Sequence, residues 1–334
     1  MEVDFVECDI IKYLRDNKSI YYGDIQKMYV ICENILSEIP KQFSNYTLHD
    51  IKHSVRVIEY MNDLVREHIK DFSELQLTLI IYAGLLHDVG MFVSDDEKKI
   101  LFKGFENNIK LKKMLLDEKN IFLREYIRKN HGRRVGNVFN ENVNNSTQIQ
   151  SLFFIGSSSS YDLSELIFKI CQSHTENCEW ITENLPVSCA YANDKIYPQY
   201  IAFLLRIGDA LDIDDRRAPY LLYKLLNPQG QSDIEWKKHI PITNYNKINK
   251  VGDYYEISFS GECREPEVYR NIMEYIDWIN EDLKKIITIS NTFPTPYQLN
   301  IRPTIKRCII PHGFSSDLLK FKLDYNSIIK LLMG

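Results

Sequence analysis

The sequence predicts a mainly α-helical fold with a smaller C-terminal part that combines helix and strand. Up to about residue 230, apolar residues recur at three- and four-residue spacing, which is typical of amphipathic helices. Beyond that point, short segments rich in β-branched and aromatic residues flank a polar turn, which indicates a β-hairpin. With 44% hydrophobic residues among 334, the chain can bury a sizeable core. We therefore divide it into a helical domain, 1–228, and an α+β appendage, 229–334.

The first three predicted helices cover residues 20–39, 48–70 and 73–89. Thr47 is the predicted N-cap of the second helix and Ser73 that of the third, because short hydroxyl side chains accept hydrogen bonds from the first free backbone N–H groups. The third helix is apolar on every side rather than on one face. A helix of that kind is buried all round, so we expect it at the centre of the fold.

Further helices are predicted in the rest of the first domain. Residues 94–118 are charged and predict one or two surface helices. Two polar stretches, 140–148 and 156–160, are typical of loops. Apolar periodicity predicts three more helices, over residues 121–139, 162–174 and 197–217.

The C-terminal part begins with the predicted hairpin, whose strands are residues 236–242 and 253–261. A long amphipathic helix is predicted over residues 266–290. Two short segments after it, near 305–310 and 318–323, predict further strands. This mixture of strands and one helix distinguishes the appendage from the first domain.

Composition and charge narrow the classes of function. The net charge of −5 disfavours a strongly basic nucleic-acid-binding protein. The acidic start of the chain lacks the basic and apolar regions of a secretory signal. Seven cysteines without a CxxC pair fit reduced thiols, and the most apolar stretch, 75–86, is too short to span a membrane. We therefore expect a cytoplasmic protein that does not bind membranes.

Several polar residues occupy positions where the helical patterns predict apolar ones. Singly, each of these histidines is more often a satisfied core residue than a metal ligand, and the aspartate at 209 has Arg206 nearby as an ion-pair partner. Together they place a ligand-type residue on each of five helices. Helical bundles build metal sites in this way, so the pattern favours a metal centre. The residues are His53, His87, Asp88, His131, His174 and Asp209.

Three segments resemble the HD superfamily of metal-dependent phosphohydrolases. They are HDIKHSVRV around His53, GLLHDVG around His87 and Asp88, and RIGDALD around Asp209. The resemblance covers roughly residues 20–225. It implies an HD-type helical bundle with the site at its centre, and it implies that these four residues ligate a metal ion.

In binuclear members of that superfamily, further histidines hold a second ion. His131, in KNHG, and His174, in QSHT, resemble them, and the resemblance implies that Asp88 bridges the two ions. Mixed histidine and carboxylate ligands suit one or two divalent transition metal ions (Mn, Fe, Ni, Co or Zn) and leave their identity open. The cyclic-dinucleotide phosphodiesterases of the superfamily carry HDIGK and GYP. Met91 in HDVGM and the lack of GYP argue against that subfamily.

The resemblance implies a phosphohydrolase that cleaves a phosphoester of a nucleotide or related molecule with a metal-activated hydroxide. Asp88, His49 and Arg56 are the candidate catalytic residues. His49 lies one helical turn before a metal ligand, where it can contact a leaving group or hydrogen-bond that ligand. Arg56 and Arg133 are the candidate ligands of the substrate phosphate, because a guanidinium binds phosphate oxygens bidentately.

Two alternatives to this function stay open. The segment GDALDIDDRRAP resembles HD domains that stand beside chaperone-type or histidine-kinase-type ATPase modules in larger bacterial proteins, and FKLDYNSIIKLLMG resembles the stretch that leads into such an ATPase. These likenesses favour a non-catalytic, nucleotide-sensing module that regulates an ATPase partner. The other alternative is a nuclease for single-stranded nucleic acid, which the acidic composition does not support. Arg134 and the charge run 212–217 are expected to face solvent.

Overall fold

The computed structural model describes residues 7–106, 116–142, 151–155, 161–191 and 194–315. Within them the protein is mainly α-helical with small sheets, as the sequence predicts. The first five helices are α1 (Asp9–Asp16), α2 (Tyr22–Leu36), α3 (Ile39–Gln42), α4 (Ile51–Val65) and α5 (Glu74–Leu86). The next five are α6 (Asp95–Glu106), α7 (Leu116–Asn142), α8 (Ser164–Gln172), α9 (Cys178–Asn184) and α10 (Pro198–Leu211). The last three are α11 (Tyr220–Leu226), α12 (Gln231–His239) and α13 (Pro266–Ser290).

Helix α5 forms the centre of the fold. Every residue from Leu75 to Leu86 is buried, and the helix packs against α2, α4, α8 and α10. Ser73 caps it by accepting a hydrogen bond from the backbone N–H of Gln76 at 3.1 Å. The burial and the cap predicted from the sequence are both confirmed.

No single helix in the described ranges is both long enough and apolar enough to cross a membrane. Only residues 74–91 and 95–104 taken together meet that length and composition, and they are bent by 56° at their junction.

Helix α4 begins later than the sequence predicts, and its cap is a different residue. The carboxylate of Asp50 accepts a hydrogen bond from the backbone N–H of His53 at 3.0 Å. The predicted cap, Thr47, is therefore wrong; its carbonyl oxygen instead accepts a hydrogen bond from Nδ1 of His49 at 2.6 Å. Because the cap fixes the first helical turn, Asp50 sets the position from which His53 points into the core.

A close contact between two backbones follows α5. The chain leaves α5 through a 3₁₀ turn, Val89–Met91, and α7 packs against that turn. A Cβ atom at Gly90 would lie 2.0 Å from the carbonyl oxygen of His131. Only glycine allows this approach, which brings α7 beside the His87-Asp88 pair.

The strands form three small sheets within the described residues. Strand β6 (Tyr254–Cys263) pairs antiparallel with β5 (Ile248–Val251) and parallel with β7 (Lys306–Pro311), so it is the central strand of the largest sheet. The predicted strand near 305–310 is confirmed as β7, while the predicted strand 318–323 lies outside the described residues, as do 143–148 and 156–160 of the predicted loops. Residues 140–142 of the first predicted loop belong instead to helix α7. The strands are β1 (Phe154–Ile155), β2 (Tyr161–Asp162), β3 (Cys189–Tyr191), β4 (Asp194–Ile196), β5 (Ile248–Val251), β6 (Tyr254–Cys263) and β7 (Lys306–Pro311).

The first strand of the predicted hairpin is wrong. Most of the segment 236–242 belongs to helix α12, and the strand that pairs with β6 is Ile248–Val251. Trp236 and His239, three residues apart, are both buried on one face of α12, and the indole N–H of Trp236 donates to the carbonyl oxygen of Asn45. The aromatic and apolar residues of this segment are typical of a strand, but their spacing is helical. Helix α13 has the predicted bounds.

The C-terminal part packs directly on the helical part. Lys247 is fully buried, and its ammonium donates to Oδ2 of Asp214 at 2.7 Å and to the hydroxyl of Tyr60 at 2.8 Å. The hydroxyl of Tyr275 on α13 likewise donates to the carbonyl oxygen of Ala210 on α10 at 2.9 Å. Strand β5, which follows Lys247, therefore packs on α4, and α13 packs on α10. The domain boundary at 228/229 stays a prediction.

Candidate metal centre

Five elements bring the six predicted ligands to one point in the helical core. His53 projects from α4, the His87-Asp88 pair ends α5, and α7 provides a histidine from the side. The short 3₁₀ turn Ser173–Thr175 after α8 carries another histidine, and α10 carries the aspartate near its C-terminal end. His53 and His87 are fully buried. The remaining ligand candidates from these elements are His131, His174 and Asp209.

The six residues form two groups of three, and in each group the candidate ligand atoms all lie within 4.8 Å of one another. The first group is His53, His87 and Asp209. Its two Nε2 atoms are 3.1 Å apart, and Oδ1 of the aspartate is 3.3 Å from Nε2 of His53. The second group is Asp88 with two histidines whose Nε2 atoms are 2.8 Å apart. Each group has the size and donor types of a site for one divalent ion.

Asp88 belongs to the second group and also faces the first. Its Oδ1 is 3.4 Å from Nε2 of His131 and 3.7 Å from Nε2 of His174. Its Oδ2 is 3.2 Å from Nε2 of His53 and 3.3 Å from Nε2 of His87, yet this buried oxygen accepts no well-formed hydrogen bond from the described residues. A buried carboxylate oxygen without a partner is costly, and a cation beside it would supply the missing interaction.

Three of the histidines present Nε2 to this centre because their Nδ1 atoms are held by the backbone. Nδ1 of His87 lies 2.9 Å from the carbonyl oxygen of Gly84, three residues earlier in the chain. In each of the other two histidines, Nδ1 likewise contacts the carbonyl oxygen of the residue three positions earlier. A carbonyl can only accept, so each Nδ1 carries a proton, and in the neutral imidazole Nε2 then keeps a lone pair. This is the tautomer that metal ligation by Nε2 requires. The other two contacts are His131 to Arg128 at 2.7 Å and His174 to Cys171 at 2.5 Å.

His53 is held by a carboxylate instead. Its Nδ1 is 2.6 Å from Oδ2 of Asp212, and Arg56 donates to both oxygens of that carboxylate, at 2.7 and 2.9 Å. Burial alone raises the pKa of Asp212, but the hydrogen bond from His53 and the ion pair with Arg56 hold it well below its usual range. Asp212 therefore stays ionised in the core and fixes the His53 ring.

The expected exposure of the charge run 212–217 is wrong for its acidic members at 212 and 214. Asp212 and Asp214 are buried, because each has cationic partners inside the fold: Arg56 for the first and Lys247 for the second. No local signal marks Asp212, because it directly follows the last residue of α10 and belongs to a run of charged residues.

The structure places the other predicted arginines in ion pairs. Arg133 is largely exposed on α7 and donates to Glu176, and the guanidinium of Arg56 is directed at Asp212 rather than at a cavity. Arg134, expected in solvent, is buried: it pairs with Glu97 and donates to the carbonyl oxygen of Gly90. Burial of that arginine fixes α7 to the turn after α5. The phosphate-binding roles of Arg56 and Arg133 stay predictions.

His49 does not join the ligand groups but lies beside them. Its ring is 5.9 Å from the ring of His53, centroid to centroid. Its Nδ1 donates to a backbone carbonyl, so its Nε2 accepts a hydrogen bond from Nη2 of Arg217 at 3.1 Å. Burial lowers the pKa of His49 to about 3, so the ring is neutral. Nη1 of Arg217 is 3.5 Å from Oδ1 of Asp209, a contact that sequence patterns did not single out.

The electrostatics of the centre favour a cation. Burial raises the pKa of Asp88 and of Asp209, but neighbouring histidines, and Arg217 for the latter, hold both below the usual range. Burial lowers the pKa of His53, yet hydrogen bonds to carboxylates outweigh it and raise the pKa to about 10. Without a metal the centre thus holds ionised carboxylates and retains a proton on His53.

Comparison with known proteins adds the family. The search of curated proteins and the search of solved structures found no match. The model of one family, HD-CE, matches residues 43–285, which is more than half of the chain and contains all six candidate ligands. The chain therefore belongs to the HD-CE family.

Proposed function

We propose that this protein is a metal-dependent phosphohydrolase that cleaves a phosphoester of a nucleotide or a related molecule. The observation that carries the proposal is the position of Asp88: it belongs to the second group of ligand atoms, and its Oδ2 also lies close to His53 and His87 of the first group. Paired divalent sites that share a carboxylate suit in-line displacement at phosphorus, because both the attacking and the leaving oxygen need stabilisation. The resemblance of three segments to the HD superfamily supports the same reaction class.

His53, His87 and Asp209 would hold one ion, and His131 and His174 the other, with Asp88 between them. Divalent transition ions held there would polarise a phosphoryl oxygen and lower the pKa of a coordinated water. Mn, Fe, Ni, Co and Zn all fit nitrogen and carboxylate donors.

The surrounding residues position these ligands and shape access to them. Asp212 and Arg56 hold the His53 ring, and backbone carbonyls hold three others. Arg217 and His49 lie at the open side of Asp209, where a substrate phosphate would approach. In this arrangement the positive guanidinium of Arg217 would face the phosphate, and the neutral imidazole of His49 accepts a hydrogen bond from that guanidinium.

The test is metal analysis of the purified full-length protein, followed by hydrolysis assays on a nucleotide and phosphoester panel with Mn²⁺ and the other ions. We expect bound metal and turnover that is abolished in Asp88→Ala. A protein that binds no metal and is inert with every ion contradicts the proposal. Nucleotide binding that survives Asp88→Ala, with no turnover in the wild type, favours the regulatory alternative instead.

A further inference from the structure

A cavity of about 270 Å³ opens beside the candidate metal centre. Asp209 lines it on the side of the metal ligands, and the segment before α4 contributes Tyr46 and His49. The opposite walls come from α7, α12 and α13, through residues such as Ser232 and Tyr275. Two of these helices, α12 and α13, come from the region C-terminal to the bundle. The cavity therefore lies between the predicted appendage and the candidate metal centre.

Three buried polar atoms around this cavity have no hydrogen-bond partner among the described residues. They are Nε of Arg217, Nδ1 of His239 and the hydroxyl oxygen of Tyr46. Buried polar atoms are normally paired, since leaving one unpaired costs about 1–3 kcal/mol. These atoms belong to three residues that line the cavity, so the polar groups of a ligand bound there could supply the missing partners.

Arg217 is the cation of the cavity best placed to meet a phosphate. The other two cations each have a carboxylate partner on their own helix: Arg128 pairs with Glu125 at 2.8 Å and Lys238 with Glu235 at 2.6 Å. The guanidinium of Arg217 lies 3.5 Å from a metal-ligand oxygen and keeps one N–H without an acceptor. A guanidinium in that position can donate to a phosphoryl oxygen held at the centre.

The size and the lining residues of the cavity indicate which organic group of a ligand fits beside the phosphate. Ligand pockets commonly measure about 300–1,000 Å³, so this one suits a single small organic group. Ring-bearing side chains line it (Tyr46, His49, His239 and Tyr275), with polar groups between them. Aromatic faces stack on planar bases, and polar groups between them read hydrogen-bonding edges.

We propose that this cavity is a specificity pocket for one nucleoside-sized, ring-bearing group of the substrate, and that Arg217 binds the phosphate attached to it. The inference rests on the proposed function and narrows it to phosphoesters of a single nucleoside rather than a polynucleotide. The pocket's own hydrogen-bonding groups recognise the organic part whether or not the phosphate is cleaved. Binding can therefore be tested without turnover.

The first experiment measures binding of four nucleosides (adenosine, guanosine, cytidine and uridine) to the full-length protein by calorimetry. Ser232→Trp fills the cavity, whereas Ser232→Ala leaves it open and serves as the matched control. We expect at least one nucleoside to bind the wild type, with affinity at least tenfold weaker in Ser232→Trp and within about twofold in Ser232→Ala. The failure of all four nucleosides to bind, or equal binding to Ser232→Trp and Ser232→Ala, overturns the inference.

The second experiment tests Arg217 with a nucleoside 5′-phosphonate, which presents the phosphoryl oxygens but has no ester bond to cleave. In the metal-loaded protein we expect it to bind at least tenfold more tightly than the nucleoside. Arg217→Ala should remove most of that gain with the metal content unchanged, and Arg217→Lys should keep part of it. The exposed Arg270→Ala is the matched control. If Arg217→Ala binds the phosphonate more tightly than the nucleoside by the same factor as the wild type, Arg217 does not bind the phosphate.

These outcomes are separable from failure of the proposed function. Nucleoside binding that depends on Ser232, in a protein without hydrolytic activity, supports the pocket and contradicts the phosphohydrolase. Hydrolysis of a generic phosphoester without nucleoside binding supports the phosphohydrolase and contradicts the pocket. The third outcome concerns a single-stranded oligonucleotide of 12 nucleotides. If it binds Ser232→Trp as tightly as the wild type and is hydrolysed faster than any mononucleotide, the protein is a nuclease instead.

Discussion

Asp212 and His53 are 159 residues apart in the sequence, and Oδ2 of the first lies 2.6 Å from Nδ1 of the second inside the core. Both side chains are inaccessible to solvent. A carboxylate at Nδ1 fixes the orientation of an imidazole and raises the basicity of its Nε2. Arg56 balances the buried charge of Asp212 from the other side. The three residues form a buried chain that ends at the candidate metal centre.

Asp212→Asn should therefore weaken metal binding without removing any ligand. The amide cannot hold both the His53 ring and the guanidinium of Arg56 as the carboxylate does, and the arginine keeps an uncompensated buried charge. We expect metal affinity to fall about 10–100-fold and the free energy of unfolding to fall by roughly 3 kcal/mol. Titration of metal-free protein with Mn²⁺ and urea denaturation measure the two effects.

The matched control is Asp253→Asn, which removes the same charge from an exposed position between β5 and β6. This substitution should change neither the metal affinity nor the free energy of unfolding. If Asp212→Asn binds Mn²⁺ as tightly as the wild type, the carboxylate does not position His53.

The sequence predicted the parts of the fold that depend on local pattern. Apolar spacing located α5, and it gave the bounds of α13 as the structure has them. It also identified all six ligand candidates, because a histidine or aspartate on an otherwise apolar helix face is a visible local anomaly. Their convergence depends on packing, for example on the close approach that Gly90 allows.

Other residues carried no local anomaly. Asp212 and Arg217 belong to a charge run, where polar residues are expected, and their roles depend on partners more than 150 residues away. Arg134 likewise looked like one of several charged residues on α7, but its partners come from other segments. Aromatic residues favour strands, so the sequence predicts a strand at Trp236, but this residue lies in helix α12 and packs against the segment before α4.

Two metal ions per chain are expected after loading with Mn²⁺ and removal of free metal. His131→Ala and Asp209→Ala each remove one ligand from a different group, so each should retain about one ion. Because the Asp88 side chain faces ligands of both groups, the Asp88→Asn variant should retain less than one metal ion per chain. Elemental analysis by mass spectrometry measures this directly.

His312→Ala removes an exposed histidine outside both groups and should retain two ions. A single ion in the wild type, lost equally in His131→Ala and Asp209→Ala, would show that the six residues form one site.

Metal binding should release a proton at neutral pH. The pKa of His53 in the metal-free protein is raised to about 10, above the ordinary histidine value of about 6.5. That proton stabilises the metal-free fold below about pH 6.5, and the stabilisation is lost as pH rises through about 10. A metal needs the Nε2 lone pair, so it must displace the proton. We expect apparent affinity to rise about tenfold per pH unit between pH 6.5 and 9.

Calorimetry in two buffers of different ionisation enthalpy at pH 7.5 counts the protons released. We expect about one per chain from His53. Burial lowers the pKa of His174 to about 3, so that ring is already neutral and adds none. Zero protons released, with affinity independent of pH, is the contrary result.

Gly90→Ala should separate α7 from the His87-Asp88 pair. A Cβ there would lie 2.0 Å from the carbonyl oxygen of His131, a backbone atom that cannot move without shifting the helix. We expect the free energy of unfolding to fall by at least about 2 kcal/mol and the ion held by the second group to be lost first, because His131 moves with α7. Gly104→Ala is the control: it lies in α6 with no atom within 4 Å of its Cβ. It should stabilise the protein by up to about 1 kcal/mol through helix propensity. Equal stability of the two variants, measured by urea denaturation, would mean that α7 does not depend on this contact.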